Sequence, residues 1–426
     1  MRRSPRLLIL ILFVLALSGG IFFAIKIAKG YRPSLANKAL QGTGLLSANS
    51  TPKGASVFIN DKLTTATDDT LNLPPGEYKI KIALDGYIPW EKTLRLTPEL
   101  VTQTNVRLFP SVPNLKPLTF SGALNPTPAP DGQKIVFAVE NATTESKNGL
   151  YVLDLQDRTF SFNSADPVQI TRQSGKFDFN RARLIWSPDS SQILATLNSG
   201  QTDEINVLLN ASGFNDVANM KDVTARLPVT YQEWQDLADK KIHEQLIALP
   251  EFMQTLATQS AKMVYFSPDD EMMMYAATAE TTIPQELIPP LPASSTQTET
   301  RTLKPNQIYI YDLQEDKNFY LADAPQPSPK PKTTTIHEKL LELAAAYSPI
   351  SSQPIQWYPD SRHILIVEDS KIVVSEYDAT NQHVVYAGPF SAGFAYPSTN
   401  GSRLIILASL NGGTNLPPNL YSINLK

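Results

Sequence analysis

One short pattern recurs along the chain and limits its possible folds more than any other feature. Ala129-Pro130-Asp131-Gly132 leads into the apolar run Ile135-Val136-Phe137, and Trp186-Ser187-Pro188-Asp189 leads into Ile193-Leu194. Phe266-Ser267-Pro268-Asp269 precedes Met272-Met273-Met274-Tyr275, and Trp357-Tyr358-Pro359-Asp360 precedes Ile364-Leu365. Tyr396-Pro397-Ser398-Thr399-Asn400-Gly401, ahead of Leu404-Ile405-Ile406, reads as a degenerate fifth copy. A second element returns downstream as Leu150-Tyr151-Val152-Leu153-Asp154, Ile308-Tyr309-Ile310-Tyr311-Asp312 and Leu420-Tyr421-Ser422-Ile423-Asn424. Proline fixes φ at the first turn position and aspartate bonds nearby amides, so each copy reads as strand, tight turn, strand. The return of Asp131, Asp189, Asp269 and Asp360 at one turn position argues for turn structure rather than catalysis or metal binding. One such unit cannot bury both of its faces, so several must pack side by side.

Radial repetition of small antiparallel sheets gives a β-propeller. The Ser-Pro-Asp turn with its following apolar strand resembles the TolB-like and WD-repeat-like propeller families. That resemblance implies a propeller of about five or six blades over residues 113–426. The motif prolines Pro130, Pro188, Pro268, Pro359 and Pro397 are 58, 80, 91 and 38 residues apart, so blades of about 40–50 residues leave insertions between them. Three are expected, near 215–259, 281–305 and 322–347. In the first, Thr230 and Glu233 form a capping box, and Trp234, Leu237, Ala238, Ile242, Leu246 and Leu249 make one apolar helix face. The second is rich in Pro, Thr and Ser and reads as a flexible loop. The third joins the Pro-rich stretch from Ala324 to Lys332 to a short helix. Thr335 caps that helix with Glu338, and Ile336, Leu340, Leu343 and Tyr347 face one way.

Residues 45–110 form a separate β-patterned region. Tyr78, Ile80, Ile82 and Leu84 alternate with Lys79 and Lys81, the period of a half-buried strand. Trp90 to Leu96 alternates as well, and Asn60-Asp61 after Val57-Phe58-Ile59 signals a hairpin. Leu73-Pro74-Pro75-Gly76-Glu77-Tyr78, then Asp85-Gly86-Tyr87 and Trp90, is similar to the PEGA domain, a small β-sandwich of bacterial and archaeal surface proteins. Pro75-Gly76-Glu77-Tyr78 stands where that family has its namesake tetrapeptide. The motif is a turn and a strand start, and it implies no chemistry.

The N-terminus carries the remaining signal. Leu7 to Ile25 is an uncharged apolar stretch, behind Arg2, Arg3 and Arg6 and ahead of Lys26, Lys29 and Arg32. Its length suits a single bilayer-spanning helix. The charge bias favours residues 1–29 as cytoplasmic stub and signal-anchor, residues 30–44 as linker, and the bulk of the chain extracytoplasmic. The lipid bilayer is thus an expected partner through residues 7–25. The competing reading is a signal peptide cleaved near Ala16-Leu17-Ser18. The apolar run through Ile21-Phe22-Phe23 speaks against it.

Composition narrows the chemistry. There is no cysteine, which removes disulfides, thiolate metal sites and cysteine nucleophiles. The four histidines, His243, His337, His363 and His383, lack metal-helix spacing. A formal net charge of −4 and the lack of a basic block give no case for nucleic acid. Asp269-Asp270-Glu271 lacks calcium-loop spacing and reads as a solvated turn, while Met272-Met273-Met274 reads as core. No Gly-x-Ser-x-Gly elbow, phosphate loop or dinucleotide fingerprint occurs. No catalytic, metal-binding or cofactor-binding residue is therefore assigned, and the ligand-binding residues stay open. The expectation is an all-β, membrane-anchored protein of the cell envelope that binds or scaffolds a protein or polysaccharide and is not an enzyme. The alternative is a hydrolase or lyase acting on envelope glycans through acids gathered in the propeller funnel. A third reading is a structural assembly component that presents the Pro-rich insertions.

Overall fold

The structure is a computed structural model. It describes residues 5–28, 31–34, 39–156, 166–175, 177–198, 204–289, 296–325, 335–347, 354–391, 393–410 and 417–426. The chain forms two compact units. The first comprises residues 1–109 with 290–298, and the second comprises 110–289 with 299–426.

The first unit opens with helix α1, Pro5–Ala28. Its stretch Ile9–Ile27 has a mean hydropathy of 2.4 and no buried residue, so by length and composition it can cross a membrane. A β-sandwich follows. One sheet places Lys62–Ala66, Ser56–Ile59, Gly76–Ala83 and Trp90–Leu96 side by side. The other places Gly44–Ala48 between Val101–Gln103 and Asp69–Leu73. Leu46 and Ala48 from one sheet meet Val57, Ile80, Ile82, Trp90 and Leu94 from the other in a single core. The expected alternation holds: Ile80 and Ile82 are fully buried, while Lys79 on the opposite face pairs with Asp61 and Glu91. Asn60 and Asp61 both take positive φ, 49° and 64°, as a two-residue type I′ hairpin requires. Thr296 donates to the Thr93 carbonyl at 2.8 Å, so the 290–298 segment belongs to this unit through the strand Trp90–Leu96.

The second unit is a ring of five small antiparallel sheets. The first sheet contains Leu124–Pro128, Lys134–Val139, Gly149–Asp154 and Val168–Arg172. The second has Arg183–Trp186, Gln192–Asn198 and Glu204–Asn210. The third has Ala261–Phe266, Met272–Ala277, Gln307–Asp312 and Lys317–Asp323. The fourth has Ile355–Trp357, His363–Val367, Lys371–Glu376 and His383–Ala387. The fifth joins Ala395–Pro397, Arg403–Ala408 and Asn419–Asn424 to Asn114–Pro117 from the start of the unit, with Leu115 opposite Ile423. That early strand closes the ring, because the last sheet is completed by the first residues of the unit. This is a β-propeller.

Each seam is a layer of interdigitated side chains. Val136, Leu150 and Val152 of the first sheet pack on Trp186, Ile193 and Val207 of the second. Ile135 and Phe137 on the opposite face of the first sheet meet Tyr396, Ile405 and Leu407 of the fifth. Met274 and Ile310 of the third meet Ile355, Trp357 and Ile364 of the fourth. Gln356 of the fourth donates to the Ala395 carbonyl of the fifth at 2.9 Å.

Between the second and third sheets the filling is helical. Helices α2 (Leu227–Ile247), α3 (Glu251–Gln259) and α4 (Ile336–Tyr347) come from two of the expected insertions. Leu227 and Trp234 of α2 and Leu340 of α4 cover Ile185 and Leu194 of the second sheet. Leu249, Met253 and Leu256 cover Met273, Tyr275 and Tyr309 of the third. The last turn of α4 bridges both sheets: Tyr347 donates to the Trp186 carbonyl at 2.5 Å, and Tyr265 donates to the Ala345 carbonyl at 3.4 Å. A helical wedge therefore fills the seam between the second and third sheets.

The structure corrects three details. Helix α2 starts at Leu227, with Arg226 at the cap and no side-chain cap bond. Thr230 lies inside the helix and is buried. Pro228 sets this start, since proline is tolerated in a first turn that has no amide partner to lose. The buried arc is Leu227, Thr230, Trp234 and Ala238, and Leu237 is exposed. Leu249 lies beyond α2 and packs on the third sheet. The α4 capping box is present, with Thr335 N donating to Glu338 Oε2 at 3.1 Å and Glu338 N donating to Thr335 Oγ1 at 3.3 Å. Of the Pro-rich stretch expected ahead of it, residues 326–332 lie outside the described residues. The Pro/Thr/Ser-rich insertion contains a short antiparallel pair, Thr281–Thr282 with Thr302–Leu303, and its residues 290–295 also lie outside them.

Candidate binding site at the turn-bearing end of the ring

The five repeated turns share one backbone geometry. In each, the first residue accepts from the amide three positions on: Ala129 from Gly132, Ser187 from Ser190, Ser267 from Asp270, Tyr358 from Ser361 and Ser398 from Gly401, at 2.7–3.1 Å. The same first residues donate to Lys134, Gln192, Met272, His363 and Arg403 at 2.8–2.9 Å. The fourth turn residue always has positive φ: 68° at Gly132, 58° at Ser190, 60° at Asp270, 61° at Ser361 and 66° at Gly401. This alignment corrects the fifth copy by one or two places. Ser398 occupies the first turn position, Thr399 the proline position and Asn400 the aspartate position, while Pro397 sits where the other copies carry the residue before the turn.

The acids do turn work, as their recurrence implies. Asp131 accepts from Gln133 N at 2.9 Å, Asp269 from Glu271 N at 3.1 Å and Asp360 from Arg362 N at 3.0 Å. Asp189 accepts from the Ser191 amide at 3.1 Å and from the Ser187 hydroxyl at 2.5 Å. Asn400 replaces the acid and accepts from Ser402 N at 2.9 Å. Burial alone would raise the Asp189 carboxyl, but the bonds from Ser187 and Ser191 outweigh it and hold it below its usual value.

Neighbouring turns are stitched together. Ser190 Oγ accepts from Asp131 N across the first seam, and Ser361 Oγ accepts from Asp269 N across the third–fourth seam, both at 3.1 Å. Tyr358 donates to the Gly401 carbonyl across the fourth–fifth seam. At the wedge the pattern changes, and Gln245 of α2 donates to Asp270 at 2.6 Å. The first, third, fourth and fifth turns converge on an axial mouth with a cavity of about 310 Å³. Pro130, Pro268, Pro359 and Pro397 line it with Phe266 and Trp357. Asp131, Asp270, Lys241, Gln245 and Tyr347 supply its polar groups. Proline-fixed turns and packed rings give this mouth a rigid rim.

The second turns of the sheets lie beside the first. Leu155 N donates to Gln133 O, Leu313 N to Glu271 O and Tyr377 N to Arg362 O. This brings Asp154, Asp312 and Glu376 to the same end as Asp131, Asp269 and Asp360. Burial raises the Asp312 carboxyl above its usual value despite the amides of Glu315 and Gln314 that bond it. His363 is buried, and its Nδ1 lies 2.9 Å from Asp360 Oδ2. His337 is buried in α4 with Nε2 2.7 Å from Asn206 Oδ1. Among the described residues no group of three or more His, Asp or Glu is placed to hold a metal ion. Sequence reasoning assigned no ligand-binding residue. Pro130, Pro268, Pro359 and Pro397 were legible as repeats, whereas Lys241, Gln245 and Tyr347 reach the mouth only through tertiary packing of the wedge.

Residues 43–111 match the PEGA domain. No curated protein matches the chain. Among solved structures, the chain is similar to a putative TolB from Agrobacterium tumefaciens, at 12% identity over 72% of this chain and 75% of that one, with a TM-score of 0.20. TolB from Acinetobacter baumannii gives 12% identity over 82% and 60%, with a TM-score of 0.22. Oligogalacturonate lyase from Vibrio parahaemolyticus gives 10% over 82% and 86%, with a TM-score of 0.25. Scores this low carry no argument about function, and the propeller assignment rests on the sheets, seams and turns of the ring itself.

Proposed function

We propose that this chain is a membrane-anchored binding or scaffold protein of the cell envelope, with its bulk outside the cytoplasm, and that it acts without catalysing a reaction. Its partner, a protein or a polysaccharide segment, docks at the axial mouth. The observation that carries this reading is the mouth itself: a rigid cavity of about 310 Å³ rimmed by three turn prolines, by Pro397 and by aromatic rings. The acids near it are engaged in turns or in wedge contacts, Asp131 with Gln133 N and Asp270 with Gln245. The apolar helix α1 supports bilayer tethering, and the PEGA domain supports an envelope setting.

Site-specific photo-cross-linking tests this. Benzoylphenylalanine at Thr399, on the rim, gives a discrete adduct in intact cells. The same group at Val384, on an exposed outer strand, does not. Digestion of the adduct with protease or glycosidase tells protein from polysaccharide. Equal adducts at both positions, or none at Thr399, contradict the proposal.

A further inference from the structure

A second cavity, of about 300 Å³, lies between α2, α3, α4 and the strand Ala261–Phe266. Its walls are mainly apolar: Ala238, Ile242 and Leu246 of α2, Ala257 of α3, and Val264 and Phe266 of the strand. Ala346 and Tyr347 of α4 close it. The spacing of Ala238, Ile242 and Leu246 puts one helical stripe along the slot. Lys241 is the only charged residue in the lining. It stands beside that stripe and also lines the axial mouth. Among the described residues Lys241 pairs with no carboxylate. By contrast Lys79, Lys317 and Lys371 each have an acidic neighbour.

We propose that this slot binds a single-chain anionic amphiphile, with the aliphatic chain among the apolar walls and the carboxylate or phosphate head on Lys241. A volume of about 300 Å³ is about twice that of the 150 Å³ apolar cavity that accepts benzene. A chain of about eight to twelve carbons is therefore the right size. Charge complementarity selects the head: an unpaired ammonium at the edge of an apolar slot favours an anion and disfavours a cation. The slot is built by the inserted helices and the strand Ala261–Phe266, and it adjoins the mouth, sharing Lys241, Gln245, Phe266 and Tyr347 with it.

The test uses the full chain in lipid nanodiscs, with decanoic acid and decylamine probes that each carry a diazirine at the chain end. Labelled residues are located by mass spectrometry. The decanoic acid probe labels residues 238–246 and 264–266 saturably, and free decanoate competes. Lys241→Glu, at an exposed position, lowers this labelling by about tenfold or more and transfers it to the decylamine probe. Ala346→Phe, also at an exposed position, fills the slot and lowers labelling by both probes. Circular dichroism melting verifies that both variants stay folded. Labelling confined to α1 overturns the proposal, as does equal labelling of the wild type by both probes. So does labelling that neither substitution changes.

Discussion

At the residue scale, the repeated aspartates and the aromatic residues before them divide the work of the second, third and fourth blades. Asp189→Ala removes bonds to Ser187 and Ser191 and is expected to cost about 0.5–2 kcal/mol. Asp360→Ala should behave alike, and at such separated sites the losses should add. Trp186→Ala and Trp357→Ala should cost more, about 3–5 kcal/mol. Each empties a buried seam and also breaks an indole bond, to the Thr127 carbonyl at 2.9 Å or the Tyr265 carbonyl at 3.1 Å. The Asp189 effect carries a pH signature. Its folded value is depressed, so the carboxylate stabilises above the unfolded value of about 3.9 and ceases to do so as pH falls through the folded value. Melting curves of wild type and Asp189→Ala should keep a constant gap from about pH 5 to 7 and converge below about pH 4. Gly401 is a different constraint. Ser190 and Asp270 tolerate the same positive φ, but a Cβ at Gly401 would lie 2.6 Å from the Tyr358 ring. Gly401→Ala should destabilise by about 1–3 kcal/mol, through contact more than through φ.

At the scale of elements, local signals were readable and tertiary ones were not. The α4 capping box and the Asn60-Asp61 hairpin depend on residues within a few positions, so pattern sufficed. The buried face of α2 is set by its tertiary contacts with Ile185, Leu194 and Leu340. Pro228 places the helix start ahead of Thr230, and Leu237 lies outside the arc that packs. The register of the fifth turn was obscured because Pro397 sits before the turn and Thr399 takes the proline's place. That α2 and α4 fill the gap between two sheets is fixed by contacts such as Leu340 with Ile185 and Leu194, which no local pattern encodes. Leu340→Ala should therefore cost about 2–5 kcal/mol and lower the midpoint of a single ring transition. Thr335→Ala, at the exposed cap of the same helix, should cost about 0.5–2 kcal/mol. Thermal melts of the two variants check the order, and a larger loss at Thr335 would contradict the wedge.

At the scale of the whole molecule, the order of modules was legible: apolar helix, sandwich, ring. Each has its own composition and period, and each compact unit has its own core. The placement of residues 290–298 in the first unit was not legible, because the Thr296–Thr93 bond joins residues 203 positions apart. The absence of cysteine permits a direct measurement of the central claim, that the ring lies outside the cytoplasm with a partner at its mouth. Single cysteines are placed at Val384 and Thr399 and labelled with a membrane-impermeant maleimide, in intact spheroplasts and in purified protein. The account predicts prompt labelling at Val384 in both. At Thr399 it predicts labelling much slower in spheroplasts than in purified protein. Labelling of neither site until the spheroplasts are lysed would put the ring on the cytoplasmic side. Equal rates at Thr399 in both preparations would leave the mouth without an occupant, and either result would contradict the account.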